Sequence, residues 1–192
     1  MSRHTYTAFQ RHLLFFSTPT QPPRLTILSA LRASCTLGLD LPIALLLSVS
    51  LRILYTPFPY FWHPIVIDDI PRSSHRTQLS SAVLPPSKSS FTCAELLALL
   101  GDGKRKGWVQ HKIDQGHVIG FWSMAAGAGT NVVRRRDLEA FREGEWEGGI
   151  AERRRGRGDV VPLWRGGPVW VAGHSWAVGR LLGVRVYEGK AE

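Results

Sequence analysis

An apolar segment that ends in closely spaced prolines constrains the fold of this chain more than any other feature. Between residues 41 and 67 the only formal charge is that of Arg52, and residues 43–51 are strongly apolar. Pro42 stands at the start of this run, where a helix accepts proline because the first N–H groups have no partner there. Three prolines, which cannot continue a helix, follow at the other end: Pro57, Pro59 and Pro64.

The same segment falls short of a single crossing of a bilayer. Its uninterrupted apolar core is shorter than the roughly 20 residues that a spanning helix needs. We therefore expect a shallow hairpin that turns at the prolines, with Tyr55, Tyr60 and Trp62 at the interface. Arg52 would extend along the apolar surface toward water. The alternative is a buried core helix followed by an irregular loop. We assign residues 37–67 as a membrane anchor marked by four residues: Arg52, Pro57, Pro59 and Pro64.

The chain is strongly basic, which bears on its partners. Its 24 Lys and Arg against 15 Asp and Glu give a formal net charge of +9 at pH 7. Such a balance favours nucleic acid or anionic membrane headgroups. Three basic blocks, at residues 104–106, 134–136 and 153–157, lack the interleaved aromatic residues of base-stacking platforms. We expect headgroup contacts and no specific nucleic acid; a nucleic-acid binder is the alternative.

The N-terminal region leaves the location of the protein open. It is rich in Arg and Ser and contains no acidic residue before Asp40, which is also typical of a mitochondrial presequence. A cleaved presequence of about 35 residues is therefore one interpretation. The two cysteines, Cys35 and Cys93, fit no metal or disulfide spacing, and a reducing compartment is the default.

Helix signals are clearest in the second half. Thr92 and Glu95 form a capping box ahead of a leucine-rich helix that Gly101 ends. A second helix is predicted over residues 132–143, with Asn131 as its cap and Gly144 as its stop. Residues 108–124 fit a hairpin or a short helix equally well. Residues 168–187 alternate apolar and small side chains and predict two short strands.

Two patterns suggest chemistry but are incomplete. Residues 173–177 resemble a nucleophile elbow around Ser175, yet no histidine follows and Ala177 replaces the final glycine, so we expect a glycine-rich turn. His111, Asp114 and His117 would share one helix face and could hold a divalent metal. A fourth ligand is not apparent, and surface residues at this spacing are common.

The order of these features resembles that of the caleosin family, whose members are lipid-droplet and endoplasmic-reticulum proteins of plants and fungi. Some of them are haem peroxygenases with one calcium loop. The similar stretches follow one another between residues 9 and 147: the start of the calcium loop at 10–16, the helix before the anchor at 25–42, the proline knot at 43–64, the stretch after it at 65–75, and later helices at 91–100 and 133–144.

The resemblance implies two histidines that ligate haem, at His12 and His75. In such a site the iron takes oxygen from a fatty-acid hydroperoxide and passes it to an unsaturated fatty acid. The loop itself departs from the family pattern, because residues 17–23 contain no carboxylate to hold calcium. We therefore expect no calcium binding, and we assign no catalytic residue and no metal ligand.

These observations predict a mainly α fold. It comprises a degenerate, EF-hand-like helix pair, a proline-knot anchor, and an α-rich C-terminal region with some β or coil. The segments are 1–36 for the helix pair, 37–67 for the anchor, 68–90 for a Ser/Pro linker, 91–147 for the helical region and 148–192 for a basic, glycine-rich tail. The expected function is that of a caleosin-like protein on the lipid droplet or endoplasmic reticulum, a haem peroxygenase of fatty-acid hydroperoxides. The alternatives are a non-enzymatic lipid-droplet structural protein and, for location, the mitochondrion.

Overall fold

The protein is described here from a computed structural model that defines residues 6–56, 63–72, 77–101 and 107–189. This part of the chain is mainly helical, which confirms the predicted fold class at that level. It contains eight α-helices and two small antiparallel sheets of two strands each. Four short 3-10 helices lie between them: Ile67–Asp69, Gln78–Ser81, Arg157–Asp159 and Leu163–Arg165.

Two capped helices open the described chain. Helix α1 (Ala8–Phe15) is capped by Thr7, and helix α2 (Ile27–Thr36) is capped by Thr26. Each threonine hydroxyl accepts an N–H of the first turn in a capping box. Strand β1 (Arg24–Leu25) precedes α2 directly. The two helices are therefore joined by a loop and a short strand, and both ends are fixed by local hydrogen bonds.

Helix α3 (Leu41–Tyr55) occupies the apolar segment. Asp40 caps it by accepting the N–H of Leu41 at 3.0 Å, and Pro42 lies in its first turn as the sequence predicts. The helix ends before the prolines, of which Pro57 and Pro59 lie outside the described residues. It packs along α2 and buries one narrow stripe, formed by Ala44, Ser48 and Arg52. These residues are four apart and thus stand above one another on one face.

The two sheets join distant parts of the chain. Strand β1 pairs with β2 (Ile65–Val66), with Leu25 opposite Ile65, so the segment after the prolines returns to the N-terminal helices. Strand β3 (Ser90–Phe91) pairs with β4 (Val133–Arg134), with Phe91 opposite Val133. Each sheet therefore closes a loop of about 40 residues, which no local pattern in the sequence indicates.

The described part of the second half is mainly helical. Its helices are α4 (Cys93–Ala98), α5 (Trp108–Ala125), α6 (Arg135–Glu143), α7 (Trp146–Arg155) and α8 (Val171–Leu182). The capping box at Thr92 is confirmed, and residues 108–124 form a helix. The predicted start of the next helix at residue 132 is wrong, because Val133 and Arg134 pair with β3 and α6 begins only at Arg135. Gly144 ends it, at φ +85°, as predicted.

The C-terminal expectation of two strands is also wrong. Residues 171–182 form α8, which Gly183 ends in the left-handed conformation at φ +67°. Ser175 lies inside this helix and its Oγ donates to the carbonyl of Val171 at 2.9 Å. The stretch that resembles a nucleophile elbow is therefore helix rather than a turn.

One hydrophobic core joins the first helix to the last described residues. It includes Leu13 of α1, Phe16 directly after that helix, Trp146 of α7, and Tyr187 near the C-terminal end. The hydroxyl of Tyr187 donates to the carbonyl of Gly38 at 2.9 Å and accepts the N–H of Val161 at 3.0 Å. The C-terminal segment thus packs against the base of α3.

Candidate functional site

An apolar cavity of about 110 Å³, partly open to solvent, lies among α1, α3, α5, α6 and the start of α7. Helix α3 contributes Leu47 and Leu51, both half-buried, to its wall. Most of the remaining lining is aromatic or aliphatic. The lining also contains two histidines, His12 and His117.

His12 is held in a defined orientation. Its Nδ1 contacts the Oε1 of Glu147, whose side chain is 2% exposed and lies in the first turn of α7. The imidazole ring stacks against Trp146, with ring centroids 6.0 Å apart, and meets the edge of Phe16 at 5.2 Å. A carboxylate behind an imidazole fixes its tautomer and direction, an arrangement common among metal-ligating histidines. The sequence predicted His12 but not Glu147, which is 135 residues away.

His117 enters the same cavity and does not form the metal site considered from the sequence. Asp114 is buried and accepts from the Nε2 of Gln110 at 3.3 Å, while the Nε2 of His111 lies 3.1 Å from the Nε2 of Gln115. Within the described residues, no group of three or more His, Cys, Asp and Glu side chains could hold a metal ion. His111, Asp114 and His117 therefore do not converge on one site, since the first two contact glutamines of their own helix and the third lines the cavity.

Glycines line the cavity beside His117. A Cβ at Gly116 or Gly120 would meet no atom within 4 Å beyond its own helix, so this stretch of α5 leaves open space. The glycines stand four residues apart and share a face with the neighbouring cavity residues, Phe121 and Met124. This spacing was the available sequence signal for the cavity, and it was missed.

The residues fit a haem ligand only in part. An imidazole braced by a carboxylate is suitable as an axial ligand. The cavity volume is not suitable, because about 110 Å³ is well below the roughly 300–1,000 Å³ of typical cofactor and ligand sites. As it stands, the cavity does not accommodate a porphyrin ring. His75, the second histidine implied by the resemblance, lies outside the described residues.

The outer face of α3 is apolar and exposed. Side chains on this face are between 42% and 64% exposed: Ile43, Leu45, Leu46, Ile53 and Leu54. A helix of this composition is usually enclosed by protein or lipid. A contiguous exposed apolar surface marks a partner or a membrane. Among the helices of the described ranges, none combines the length and the apolar character needed to span a membrane.

Arg52 takes a different role from the expected extension toward water. It is 2% exposed, and its guanidinium donates to the carbonyl of Leu25 at 3.0 Å and to that of His63. Burial lowers its pKa below the ordinary value. The side chain turns inward because carbonyl groups beside the β1–β2 pair face it. These hydrogen bonds connect the last turns of α3 to strand β1 and to the residues just before β2.

Several tryptophans lie at the surface. Four are between 65% and 75% exposed: Trp108, Trp164, Trp170 and Trp176. Trp164 belongs to the 3-10 turn at Leu163–Arg165, which lies at the start of α3. There the N–H of Asp40 donates to the carbonyl of Gly166 at 2.8 Å, and a Cβ on Gly166 would lie 3.1 Å from Ile43. The turn that carries exposed Trp164 therefore lies next to the first residues of α3.

Two arginines of the second half, Arg154 of a basic block and Arg165, point into the protein. Arg154 is fully buried, and its guanidinium binds the carboxylate of Asp159 at 2.7 Å and the carbonyls of Met124 and Ala126. Arg165 also donates to the carbonyl of Ala126, at 3.1 Å. Burial, with the nearby charge of Arg154, lowers the pKa of Arg165 to about 10. These two arginines bind carbonyl groups at the end of α5 and just after it, so their positive charge stabilises the fold.

No protein family, curated protein or solved structure was found to match this chain.

Proposed function

We propose that this is a membrane-surface protein of caleosin-like type, held on lipid droplets or the endoplasmic reticulum by the outer face of α3. The observation that carries the proposal is that α3 is apolar nearly all round yet buries only the stripe of Ala44, Ser48 and Arg52. Its five large exposed side chains are each about half exposed. Their transfer into lipid would contribute about 5 kcal/mol, at roughly 2 kcal/mol for each fully buried side chain.

The charge of the chain supports the same proposal. Anionic headgroups attract Lys and Arg near a membrane, by about 1 kcal/mol each. The formal charge of +9 supplies such groups even after the buried arginines are set aside. Exposed Trp164, two residues before the Gly166 that packs against Ile43, is the kind of residue that lies at the level of the headgroups.

The finer parts of the family architecture belong to this proposal. In it, α1 and α2 with the loop between them are a helix pair that no longer carries calcium ligands, and the prolines after α3 form the knot of the anchor. The chain returns at β2 to pair with β1 beside the last turns of α3, where Arg52 binds the carbonyls of Leu25 and His63. Pro64 lies just before β2.

A substitution on the outer face tests the anchor. Leu46→Gln with Ile53→Gln changes two side chains that are each 64% exposed, so the fold should be retained. The expected loss is about 2–3 kcal/mol, or roughly 50-fold in binding to lipid droplets in a flotation assay. Val83→Gln with Leu181→Gln is the matched control, because these side chains are 89% and 71% exposed on other elements. Equal flotation of both double variants and the wild type would refute the anchor.

A haem-dependent peroxygenase is the second candidate. The observation in its favour is the pair of His12 and Glu147 in an apolar cavity whose wall includes the inner side of α3. His12 would hold the haem, Glu147 would orient His12, and haem would supply the oxygen-transfer chemistry. Because the cavity is too small as it stands, no catalytic step is assigned to these residues.

The absorption spectrum tests this second candidate. Protein purified in detergent from haem-supplemented cells should show a Soret band that weakens in His12→Ala and in His75→Ala. His111→Ala is the control, because His111 is not among the cavity-lining residues. Absence of the band from protein that still floats with lipid droplets would favour the non-enzymatic structural protein.

The mitochondrial alternative conflicts with the packing of the N-terminal region. Cleavage near residue 35 would remove α1, β1 and most of α2, and with them the buried core residues Leu13, Phe16 and Leu25. Retention of these elements is therefore part of the proposal. The intact mass of protein isolated from cells tests it, and a mature chain that begins near residue 36 would contradict it.

A further inference from the structure

An open groove rich in arginine lies beside the glycine-containing loop that follows α5. Its volume is about 970 Å³, within the range of ligand sites. The loop of residues 127–132 forms one wall, the start of α6 another, and the end of α7 with the glycines after it a third. We call this the arginine groove, and its cationic lining consists of Arg134, Arg135, Arg136 and Arg153.

The four arginines of the groove divide into two kinds. Arg135 donates to Glu139 at 2.9 Å and to the carbonyl of Pro85 at 2.8 Å, and Arg153 binds Asp137 at 2.6 Å, so both are committed to the walls. Arg134 is exposed, and Arg136 is 66% exposed with its nearest carboxylate, on Asp137, 3.6 Å away. Arg134 and Arg136 are therefore available to a ligand.

The acidic residues of the groove do not cancel this charge. Glu152 pairs with Arg155 at 2.8 Å, and Asp159 pairs with buried Arg154 at 2.7 Å. Both carboxylates of the lining are therefore paired with arginines outside it, and Glu139 and Asp137 offset Arg135 and Arg153. The unbalanced positive charge is that of Arg134 and Arg136. The groove is complementary to an anion.

The loop already binds one anionic oxygen of the chain itself. The N–H of Ala128 donates to the Oδ1 of Asp159 at 2.7 Å, while Arg154 binds the other oxygen. A backbone N–H beside a cation is a common anion-binding arrangement. A Cβ on Gly129, Gly156 or Gly158 would meet no atom within 4 Å, so the backbone is open to a ligand on this side.

Contacts connect the groove to the apolar face of α3. Arg165 donates to the carbonyl of Gly127, in the groove loop, at 3.3 Å. The 3-10 turn that contains Arg165 also exposes Leu163 and Trp164, and the next residue, Gly166, packs against Ile43 of α3. The apolar helix, an exposed tryptophan and the arginine groove therefore follow one another across the surface. This is the order of acyl chains, interface and headgroups in a bilayer leaflet.

We propose that the arginine groove binds the phosphate monoester headgroup of a membrane lipid, a proposal that rests on the membrane-surface function. Two available guanidinium groups suit a phosphate, because each can donate two parallel hydrogen bonds. A phosphate monoester carries close to two negative charges at neutral pH, whereas a diester carries one. The groove thus selects lipids with a terminal phosphate over other anionic lipids.

The test compares two double variants of the full chain on vesicles. Arg134→Gln with Arg136→Gln removes the available pair, and Arg24→Gln with Arg180→Gln removes two exposed charges elsewhere. The vesicles contain phosphatidylcholine alone, phosphatidylcholine with phosphatidic acid, or phosphatidylcholine with phosphatidylserine at matched surface charge. The groove variant should bind phosphatidic acid vesicles about 30-fold more weakly than wild type, because two charges at about 1 kcal/mol each amount to about 2 kcal/mol, and about 1.4 kcal/mol is a tenfold change. The control should change less than about threefold.

The outcomes separate this proposal from the membrane-surface function. Equal losses in the two double variants, or no preference for phosphatidic acid over phosphatidylserine, would overturn the groove while leaving the membrane function intact. Failure of wild type to bind any vesicle would instead overturn the membrane function. Binding of glycerol 3-phosphate in calorimetry without vesicle binding would identify a soluble phosphate ester as the source and would contradict the lipid proposal.

Discussion

Arg154 and Arg155 are neighbours in one basic block, and replacing each by leucine should give very different losses of stability. Arg154 is fully buried and binds the Oδ2 of Asp159 at 2.7 Å and two backbone carbonyls. Removing one partner of a buried pair leaves an uncompensated charge and typically costs about 3–5 kcal/mol. Arg155 is 61% exposed and pairs with Glu152, itself 68% exposed, so its loss should cost less than about 1 kcal/mol.

The measurement is the free energy of unfolding by urea for wild type, Arg154→Leu and Arg155→Leu in the same detergent. Asp159→Asn, alone and combined with Arg154→Leu, completes a double-mutant cycle that isolates the coupling between the two groups. We expect a coupling of at least about 1 kcal/mol, since the two groups share one buried network. Similar losses for Arg154→Leu and Arg155→Leu would refute the division of this block into core and surface residues.

Two further predictions concern the base of α3. Tyr187→Phe should lower the free energy of unfolding by about 2 kcal/mol, because the carbonyl of Gly38 and the N–H of Val161 lose their partner in a buried site; an unchanged urea midpoint would contradict it. His174 is buried 3.0 Å from Asp40, and burial lowers its pKa below 6.5 despite that carboxylate. The unfolded state therefore binds the proton more readily, and stability should fall as the pH drops below about 6.5. His174→Gln should flatten that part of the profile, and a wild-type slope retained in the variant would place the titration elsewhere.

The elements that could be predicted from the sequence are those whose signals are local. Pro42 after a capping Asp40 marks the start of α3, and the Thr92–Glu95 capping box marks α4; both depend on residues within one turn. Gly144 marks the end of α6 for the same reason, since only glycine adopts its φ of +85° at little cost.

The errors lie where distant residues decide the outcome. Val133 and Arg134 leave the predicted helix because Ser90 and Phe91, more than 40 positions earlier, pair with them. In the sequence, Arg154 is one of several neighbouring arginines. Only the structure shows that it is buried against Asp159 and the loop carbonyls. Likewise, His12 could be selected only by the family resemblance, and its partner Glu147 follows from no spacing along the chain.

The bond between Tyr187 and Gly38 has a consequence for the order in which the protein is assembled. The two residues are 149 positions apart, and a ribosome adds about 5–20 residues each second. Gly38, just before α3, is therefore added to the chain roughly 7–30 seconds before Tyr187 is added. In a protein of the proposed kind, this delay gives the apolar helix time to meet a lipid surface before the rest of the fold closes around it. Lipid capture would then precede completion of the core rather than follow it.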